Sequence, residues 1–259
     1  MKDIQNLKDN RNVDIQKVGI KHLELPLIIQ RKNSSNQVVC AKAKVSVSLP
    51  RDYKGTHMSR FVEVLTEWQH KNLLGVDIKG CLEKIIHNLD AQSGELEFKF
   101  PYFIDKKSPV KGMVAPMSYH CSFEGRIEND EYKFILGVEV PVTTLCPCSK
   151  EISDNGAHNQ RAFIKVKVSY DESEQVWIED LVDLIESCAS CPVYPLLKRE
   201  DEKYVTEKAW DNPKFVEDVL RDVVVKLRNH QIINEFDVEC EAFESIHNHS
   251  AWASQHEVK

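Results

Sequence analysis

The segment that most clearly indicates the fold is 39–49, VCAKAKVSVSL, in which apolar and polar residues alternate with a period of two. That period is typical of a β-strand with one buried face and one face in water. Pro50 follows the segment and is expected to end the strand. A polar turn at 33–36 separates it from another apolar stretch at 19–30, so the two stretches predict a β-hairpin.

Helices and further strands are predicted on either side of the midpoint of the chain. Apolar residues recur at helical spacing over 58–68 and 78–89, then alternate over 96–100 until Pro101, which is expected to close that strand. Asn212 and Pro213 are good residues for the start of a helix. The second half therefore predicts strands and helices in a similar order: strands at 113–126, 132–141, 161–170 and 236–243, and helices at 176–188 and from 212 onwards.

This order predicts an α+β chain built from two similar units, each with antiparallel strands around a pair of helices. The connector-like segment 105–112 divides the chain into an N-terminal module, 1–108, and a C-terminal module, 109–259. Small sheets leave unpaired edge strands, and such edges are usually covered or paired. We therefore expect the chain to form an oligomer.

Composition excludes several classes of protein. The 259 residues include 34 Lys and Arg against 41 Asp and Glu, a formal net charge of −7, which argues against binding nucleic acid or an anionic membrane. No apolar run reaches the ~20 residues of a membrane span. The polar first twenty residues do not resemble a signal peptide, so we expect a cytoplasmic protein whose eight cysteines are thiols or metal ligands.

The densest cluster of reactive side chains lies in 141–161, PVTTLCPCSKEISDNGAHNQR, which is predicted to form a loop of roughly 19 residues between two strands. Pro147 favours an extended backbone at Cys146. Because extended residues two apart point the same way, Cys146 and Cys148 are expected to face one spot. Thiolates and the imidazole of His158 suit zinc or ferrous iron. The alternative is a pair of buried thiols beside a histidine in a turn.

Two further clusters are open to more than one interpretation. Cys188 and Cys191 have the spacing of half a zinc site or a redox pair, but no second such pair exists, and Cys188 lies on an apolar helix face, which favours a structural role. Glu244, His247 and His249 form either a polar tail or a site. The phosphate-binding and dinucleotide-binding glycine motifs and the G-x-S-x-G motif are absent from the sequence.

Several stretches together resemble one enzyme family, GTP cyclohydrolase of type IB, a metal-dependent prokaryotic enzyme of the tunnelling-fold superfamily. They cover nearly the whole chain in order, which makes the resemblance far more specific than a single motif. The matching stretches are GTHMSRF at 55–61, TTLCPCSKEIS and GAHNQR within 141–161, LLKREDEKYVTEKAW at 196–210, NPKFVEDVLRD at 212–222 and ESIHNHSA at 244–251.

The resemblance implies the fold, the assembly and the reaction. It implies two tandem tunnelling-fold modules that assemble into an oligomeric barrel, a homotetramer with active sites at subunit interfaces. It implies a hydrolase that converts GTP and water to 7,8-dihydroneopterin triphosphate and formate, the first step of tetrahydrofolate and pterin biosynthesis. A metal-activated water would attack C8 of the guanine, because a metal can lower the pKa of bound water from 15.7 to about 7.

The resemblance also implies a role for individual residues. The metal ligands would be Cys146, His158 and Glu202, with Glu200 as the alternative carboxylate, and the ion would be zinc, iron(II) or manganese. Glu217 would hold the guanine, since one carboxylate can accept hydrogen bonds from both N1–H and the 2-amino group. Other candidates are Cys148 near the metal, Glu244, His247 and His249 for proton transfer and orientation, and Arg60, Lys198, Arg199 and Lys203 for the triphosphate.

Two rival functions stay open at this point. A nitrile reductase of the same fold would use a cysteine nucleophile and a nicotinamide cofactor, and a non-catalytic redox or metal-binding protein would bind metal without converting a purine. Release of formate from GTP, rather than NADPH oxidation or metal binding alone, separates the three. The native metal and the choice between an open and a cyclic-phosphate product also stay open.

Overall fold

The structure is a computed structural model that describes residues 5, 7–33 and 35–259. Residues 1–4 and 6 of the predicted first module, and Ser34 of the predicted turn, lie outside the described residues. The chain is α+β, as the sequence predicts. Its elements in order are β1 (Ile15–Gln30), β2 (Asn36–Leu49), α1 (Met58–Trp68), β3 (Asn72–Leu73), α2 (Gly75–Asn88), β4 (Gly94–Lys107), β5 (Val114–Glu128), β6 (Glu131–Leu145), α3 (Pro147–Ile152), β7 (Asn159–Tyr170), α4 (Ile178–Glu186), β8 (Cys191–Pro192), α5 (Arg199–Asp211), α6 (Val216–Asn229), β9 (Ile233–Ala242) and β10 (Ala251–Val258).

The first of two compact units contains the described residues of Met1–Pro101 and Ser122–Leu136. Its strand order is β6-β5-β4-β2-β1-β3, and the predicted hairpin is confirmed, because β1 and β2 pair antiparallel. The alternating apolar residues of β2 are buried, as their period requires. α1 packs against α2 and β1, so the helix pair of this unit lies beside its sheet.

The second unit contains Tyr102–Cys121 and Gly137–Lys259. Its strand order is β10-β9-β7-β6-β5-β4, with β8 paired to β6. α6 packs against β9, β10 and α4. The segment expected to be a connector is the turn of the β4–β5 hairpin, where the amide of Ser108 donates to the carbonyl of Met113 at 2.8 Å. The division of the chain at 108/109 stays a prediction.

Two strands extend past their predicted ends, β4 past Pro101, which was expected to close it, and β6 past residue 141. β4 continues through Pro101, and its recorded pairing with β2 ends at Lys99, so on that side the missing N–H of the proline is not required. β6 continues past Pro141, because Val142 and Thr143 pair with the short strand β8. A proline therefore ended neither strand.

The predicted helix start at Asn212 and Pro213 is wrong. Asn212 instead ends α5, and its side-chain amide donates to the carbonyl of Ala189 at 2.9 Å. α6 begins at Val216, and Asp218 accepts a hydrogen bond from the amide of Phe215 at 3.0 Å, as expected at a helix N-terminus. The sequence also predicts an apolar stripe on this helix, and its members are buried except for the half-buried Leu220: Val216, Val219, Leu220, Val223 and Leu227.

Helix α5 and strand β10 were not predicted. α5 carries many charges and buries only Asp201 and Ala209, so it has no apolar stripe that periodicity could detect. β10 is mostly exposed and exists as a strand because it pairs with β9 along its length. Both elements depend on what they contact rather than on their own pattern.

Asp201 anchors the first turn of α5. Its carboxylate accepts hydrogen bonds from the amides of Val110, Lys111 and Lys198, at 2.8, 2.9 and 3.0 Å. Burial by itself raises the pKa of this carboxyl, but the backbone donors outweigh burial and lower the pKa to about 2. One fully buried carboxylate thus ties the helix to the turn between β4 and β5.

A buried ion pair connects β4 with the end of α4. The ammonium of Lys106 lies 2.5 Å from the carboxylate of Glu186, which also accepts a hydrogen bond from the hydroxyl of Tyr119 at 2.8 Å. The side chains of Lys106 and Glu186 are only 13% and 9% exposed. Burial lowers the pKa of Lys106, opposed by the carboxylate of Glu186, and it raises the pKa of Tyr119.

Within the described residues, no helix is both long enough and apolar enough to span a membrane.

We expect Asp201→Asn to lower the free energy of unfolding, most strongly near neutral pH. A carboxyl whose pKa falls on folding stabilises the fold above its unfolded pKa of about 3.9, and loses that contribution as the pH falls through about 2. Urea unfolding of wild type and variant at several pH values between 7 and 2 checks this, and the difference should shrink with acid. Glu200→Gln, which removes an exposed partner of Lys111, is the control. Equal stability of wild type and Asp201→Asn near neutral pH would contradict the anchoring role.

We expect Lys106→Met to destabilise the protein by about 3–5 kcal/mol, because it leaves the buried carboxylate of Glu186 without its cation. The double variant Lys106→Met/Glu186→Leu should lose less, since it removes both charges. Lys165→Met is the matched control, because its partner Glu239 is 34% exposed and such pairs contribute about 1 kcal/mol or less. Chemical unfolding measures all three, and a double variant less stable than Lys106→Met would contradict the argument.

Candidate active site

The loop that carries the predicted site is shorter than the sequence suggests. β6 ends at Leu145 and β7 begins at Asn159, so the connection is 146–158, and α3 occupies part of it. Two hydrogen bonds close this loop at its base. The amide of Cys146 donates to the carbonyl of His158 at 3.1 Å, and the amide of His158 donates to the hydroxyl of Ser149 at 3.2 Å. The closure holds the backbones of Cys146 and His158 next to each other.

Cys146 and Cys148 differ in conformation and environment. Cys146 has φ −69° and ψ 118°, the extended backbone predicted from Pro147, and its sulfur accepts a hydrogen bond from the amide of Ser149 at 3.4 Å. Cys148 is exposed and belongs to the first turn of α3, because the proline begins a helix there. The expected alternation of extended residues therefore does not apply, and it gives no reason for both sulfurs to face one spot.

His158 is held by polar side chains at one ring nitrogen. Its Nδ1 lies 2.9 Å from Oε1 of Gln160 and 3.6 Å from a carboxylate oxygen of Glu244. The amide nitrogen of Gln160 donates in turn to the hydroxyl of Thr144 at 2.9 Å. The side chains of His158 and Glu244 are 13% and 16% exposed, so the contact is mostly shielded from water.

A cavity of about 240 Å³ adjoins this group. Its walls include three of the predicted site residues, Cys146, Glu217 and Glu244, together with Gln160 and Thr144. The first turn of α6 contributes Glu217, and the segment after β9 contributes Glu244. Residues from distant parts of the sequence thus meet at one concave site.

Glu217 is exposed in the single chain, not half-buried as its position beside the apolar stripe suggests. The buried stripe of α6 includes Val216 and Val219, and Glu217 lies on the side of the helix that faces solvent. Among the described residues its carboxylate has no hydrogen-bond or ion-pair partner. It is therefore available to a ligand in the cavity.

The two histidines of the C-terminal motif lie in the loop between β9 and β10. The rings of His247 and His249 are exposed and stack on each other, with centroids 5.0 Å apart and an angle of 17° between the planes. The amide of His247 donates to the carbonyl of Glu244 at 3.4 Å. Glu244 reaches His158, whereas within the described part of the chain neither histidine ring bonds to Cys146 or His158.

The acidic residues at the start of α5 have three different environments. Asp201 is buried among backbone amides, and Glu200 pairs with Lys111 at 2.8 Å, which lowers the pKa of its carboxyl. Glu202 is exposed, and its carboxylate does not contact Cys146 or His158 in the described part of the chain. The assignment of Glu202 or Glu200 as a ligand stays a prediction.

The predicted phosphate-binding cations are spread over the chain. Arg60, in the first unit, donates to the carbonyl of Asn88 at 2.8 Å. Lys198 and Arg199 are exposed at the start of α5, and Lys203 pairs with Glu207 at 3.7 Å. The structure brings none of these four cations into the wall of the cavity.

Cys188 and Cys191 are buried, which agrees with a structural role. Burial raises the pKa of both thiols, and the sulfur of Cys188 donates to the carbonyl of Leu184 at 3.3 Å. Cys191 packs with Leu145, the last residue of β6, and with Ala209 of α5, so it contributes to the packing of α5 beside the loop that carries the site.

Another group of metal-binding residue types lies on the surface. Ligand atoms of Glu235, Asp237 and His256 are within 4.8 Å of one another on β9 and β10, and Nδ1 of His256 is 2.8 Å from Asp237. Within the described residues, the predicted set of Cys146, His158 and Glu202 is not gathered as closely. Exposed side chains of this kind often occur without a metal.

Sequence reasoning missed Gln160 and Thr144. The available signal was the alternation in β7, where Gln160 occupies the buried face that continues with Ala162 and Ile164. A polar residue in such a row needs a hydrogen-bond partner. The partners of Gln160 are Thr144 on β6 and His158 in the loop. The pattern of a single segment does not show which residues of other segments it will contact.

The residue types around the cavity suit a bound metal ion, although within the described residues Cys146, His158 and a carboxylate do not bring three ligand atoms within 4.8 Å of one another. Nδ1 of His158 is engaged, and among the described residues nothing bonds its Nε2, which leaves that nitrogen for an external partner. The nearby sulfur of Cys146 adds a soft donor, and carboxylates line the same cavity. Thiolate, imidazole and carboxylate together suit zinc, iron or manganese.

Comparison with solved structures shows the fold. The uricase of Arthrobacter globiformis aligns over 94% of this chain and 93% of its own, with a TM-score of 0.54 and 8% identity. A uricase described as from Bacillus fastidious aligns over 94% of both chains, with a TM-score of 0.53 and 10% identity. These similarities agree with the tunnelling fold, and the predicted α+β class is confirmed, whereas assembly into an oligomeric barrel stays a prediction.

Comparison with curated sequences gives much closer relatives. GTP cyclohydrolase FolE2 of Geotalea uraniireducens is 50% identical over 254 residues, which are 98% of this chain and 92% of that protein. The protein of the same name from Thermosipho africanus is 50% identical over 253 residues, 98% of this chain and 96% of its own. The family described as type I GTP cyclohydrolase folE2 matches residues 1–253. The resemblance found in the motifs is thereby confirmed: the chain belongs to the type I GTP cyclohydrolase folE2 family.

Proposed function

We propose that this chain is a GTP cyclohydrolase that converts GTP and water to 7,8-dihydroneopterin triphosphate and formate. The reaction is the first step of tetrahydrofolate and pterin biosynthesis. The observation that supports it is the convergence of Cys146, Glu217 and Glu244 on one cavity, with His158 held against Glu244. Because the substrate is GTP, we place the protein in the cytoplasm.

Cys146 and His158 are the residues that would hold a divalent metal, with Glu202 as the third ligand and Glu200 as its alternative. Three protein ligands leave one coordination position open, as a catalytic site requires. The ion, zinc, iron(II) or manganese, supplies Lewis acidity and an activated water when bound. The exposed thiol of Cys148 lies in the same loop and is proposed to act near the metal.

Glu244 is the proposed proton-transfer residue in the cavity. Attack at C8 of the guanine places charge on the ring nitrogens, so an acid must deliver a proton there. Glu244 lines the cavity and also contacts His158, which fixes the position of its carboxylate. His247 and His249 follow it in the same loop and suit the later proton transfers of ring opening and reclosure, because imidazole exchanges protons near neutral pH.

Glu217 is the proposed anchor for the guanine ring. N1–H and the 2-amino group are adjacent donors, and a carboxylate can accept from both. Glu217 lies in the first turn of α6, which Asp218 caps, so the helix fixes the backbone at Glu217. Its lack of a protein partner within the described residues means that the substrate does not compete with an existing bond.

The proposed assembly is a homotetramer, an oligomeric barrel with active sites at subunit interfaces. The exposure of Glu217, His247, His249 and Glu202 in the single chain supports it, because a second copy could cover and complete such a site. Arg60, Lys198, Arg199 and Lys203 remain the proposed cations for the triphosphate. The two-module division, 1–108 and 109–259, belongs to the same proposal.

We expect Cys146→Ala to abolish formate release from GTP and to reduce bound metal in parallel, because the variant removes a thiolate ligand. Protein reconstituted with zinc, iron(II) or manganese is incubated with GTP, and formate, pterin fluorescence and metal content are measured. Cys40→Ala, at an exposed cysteine of the first unit, is the matched control and should leave all three readouts unchanged. Full metal content and turnover in Cys146→Ala would remove Cys146 from the ligand set. NADPH oxidation without formate from the wild type would instead indicate a reductase.

We expect Glu217→Gln to reduce kcat/KM for GTP by roughly 5- to 150-fold, with normal metal content. The side-chain NH₂ of the new glutamine would face one of the two N–H donors of the guanine, so the bidentate pair is lost. Such a loss costs on the order of 1–3 kcal/mol. The variant should also discriminate less against inosine triphosphate, which lacks the 2-amino group. Steady-state kinetics with both nucleotides measures this, with Glu63→Gln, an exposed glutamate on α1, as the control. An unchanged preference for GTP would show that another residue anchors the purine.

A further inference from the structure

Gln160 is a buried amide in an apolar row. It is the second residue of β7, only 8% exposed, on the face that continues with the fully buried Ala162 and Ile164. Burying an amide is unfavourable unless it is hydrogen-bonded. Gln160 uses both ends of its amide, with Oε1 2.9 Å from Nδ1 of His158 and Nε2 2.9 Å from the hydroxyl of Thr144.

The surroundings of His158 favour one ring nitrogen as the position of the proton. Nδ1 faces two oxygens, Oε1 of Gln160 at 2.9 Å and a carboxylate oxygen of Glu244 at 3.6 Å. A carboxylate accepts hydrogen bonds, so a proton on Nδ1 satisfies both neighbours, whereas a lone pair there would face the negative charge of Glu244. The amide of Gln160 then presents its oxygen to the ring and its NH₂ to Thr144.

A neutral imidazole carries one N–H and one lone pair. With the proton on Nδ1, the lone pair is on Nε2, the nitrogen that nothing bonds within the described part of the chain. Thr144 is 1% exposed, so the residue that orients the Gln160 amide is itself buried in the sheet. These contacts favour the Nδ1–H tautomer, through side chains that belong to β6 and β7.

We propose that Gln160, oriented by Thr144, is a positioning residue that keeps the proton of His158 on Nδ1 and so presents the Nε2 lone pair to the metal. The proposal rests on the proposed role of His158 as a ligand. Hydrogen bonds to the second nitrogen of a ligating histidine commonly change metal affinity by 10- to 100-fold when they are removed.

The first experiment measures Zn²⁺ affinity of the full-length protein by competition with a chromophoric chelator. Gln160→Leu should bind Zn²⁺ about 10- to 100-fold more weakly than wild type. Gln160→Glu keeps an acceptor toward Nδ1 and should retain most of the affinity. Gln175→Leu is the matched control, because Gln175 is a partly buried glutamine whose amide donates to the carbonyl of Val176. Unchanged affinity in Gln160→Leu would overturn the proposal.

The second experiment reads the tautomer without metal. Two-bond ¹⁵N–¹H correlation spectra of metal-free protein labelled in histidine, assigned with His158→Gln, should show the Nδ1–H form of His158 in wild type. Gln160→Leu should show a mixture of tautomers, a change that a merely structural loss of packing does not predict. The Nε2–H form in wild type would overturn the proposal.

Two outcomes keep this inference separate from the proposed function. If the wild type shows the Nδ1–H form but binds no divalent metal, the proposed ligand role of His158 fails and the tautomer assignment stands. If Gln160→Leu does not fold, Thr144→Val, which removes only the group that orients the amide, replaces it in both measurements. Wild-type affinity and a wild-type tautomer in Thr144→Val would then overturn the role of this chain of hydrogen bonds.

Discussion

The hydrogen bond from the amide of Cys146 to the carbonyl of His158 is the constraint on which the site depends. It closes the loop 146–158 across the ends of two adjacent strands, so that the backbones of Cys146 and His158, twelve residues apart, are held next to each other. The loop connects β6 with β7, and within it the amide of Ser149, in the short helix α3, donates a hydrogen bond to the sulfur of Cys146. Helix α6 and the segment after β9 then bring Glu217 and Glu244 to the cavity that Cys146 also lines.

Buried polar groups hold the surrounding elements in register. Asp201 ties α5 to the turn between β4 and β5, Glu186 joins Lys106 to Tyr119, and Gln160 joins His158 to Thr144. Each is unfavourable alone and favourable with its partners, because an unpaired buried polar group loses its hydrogen bonds to water. Placement of side chains near the site therefore relies on specific pairs as well as on apolar packing.

Prediction from the sequence worked where a segment carried its own periodic pattern. The alternation in β2 and the helical spacing in α1 and α2 report burial directly, so these elements are where the pattern predicts them. Pattern reasoning failed for α5 and β10, which have polar faces and gain their structure from a buried aspartate and from pairing with β9. It also misplaced the start of α6, because Asn212 is used to end the preceding helix.

The sequence by itself determined the α+β class and the family, because alternation and motif spacing are local properties of a chain, and it predicted that Cys146 and His158 lie in one loop. Only the tertiary structure decided that Glu217 and Glu244 share a cavity, that Cys148 turns into a helix, and that Gln160 meets His158. Those results depend on which strands pair and which helix ends meet. Contacts between distant segments are set by packing of the whole unit, and no single segment contains that information.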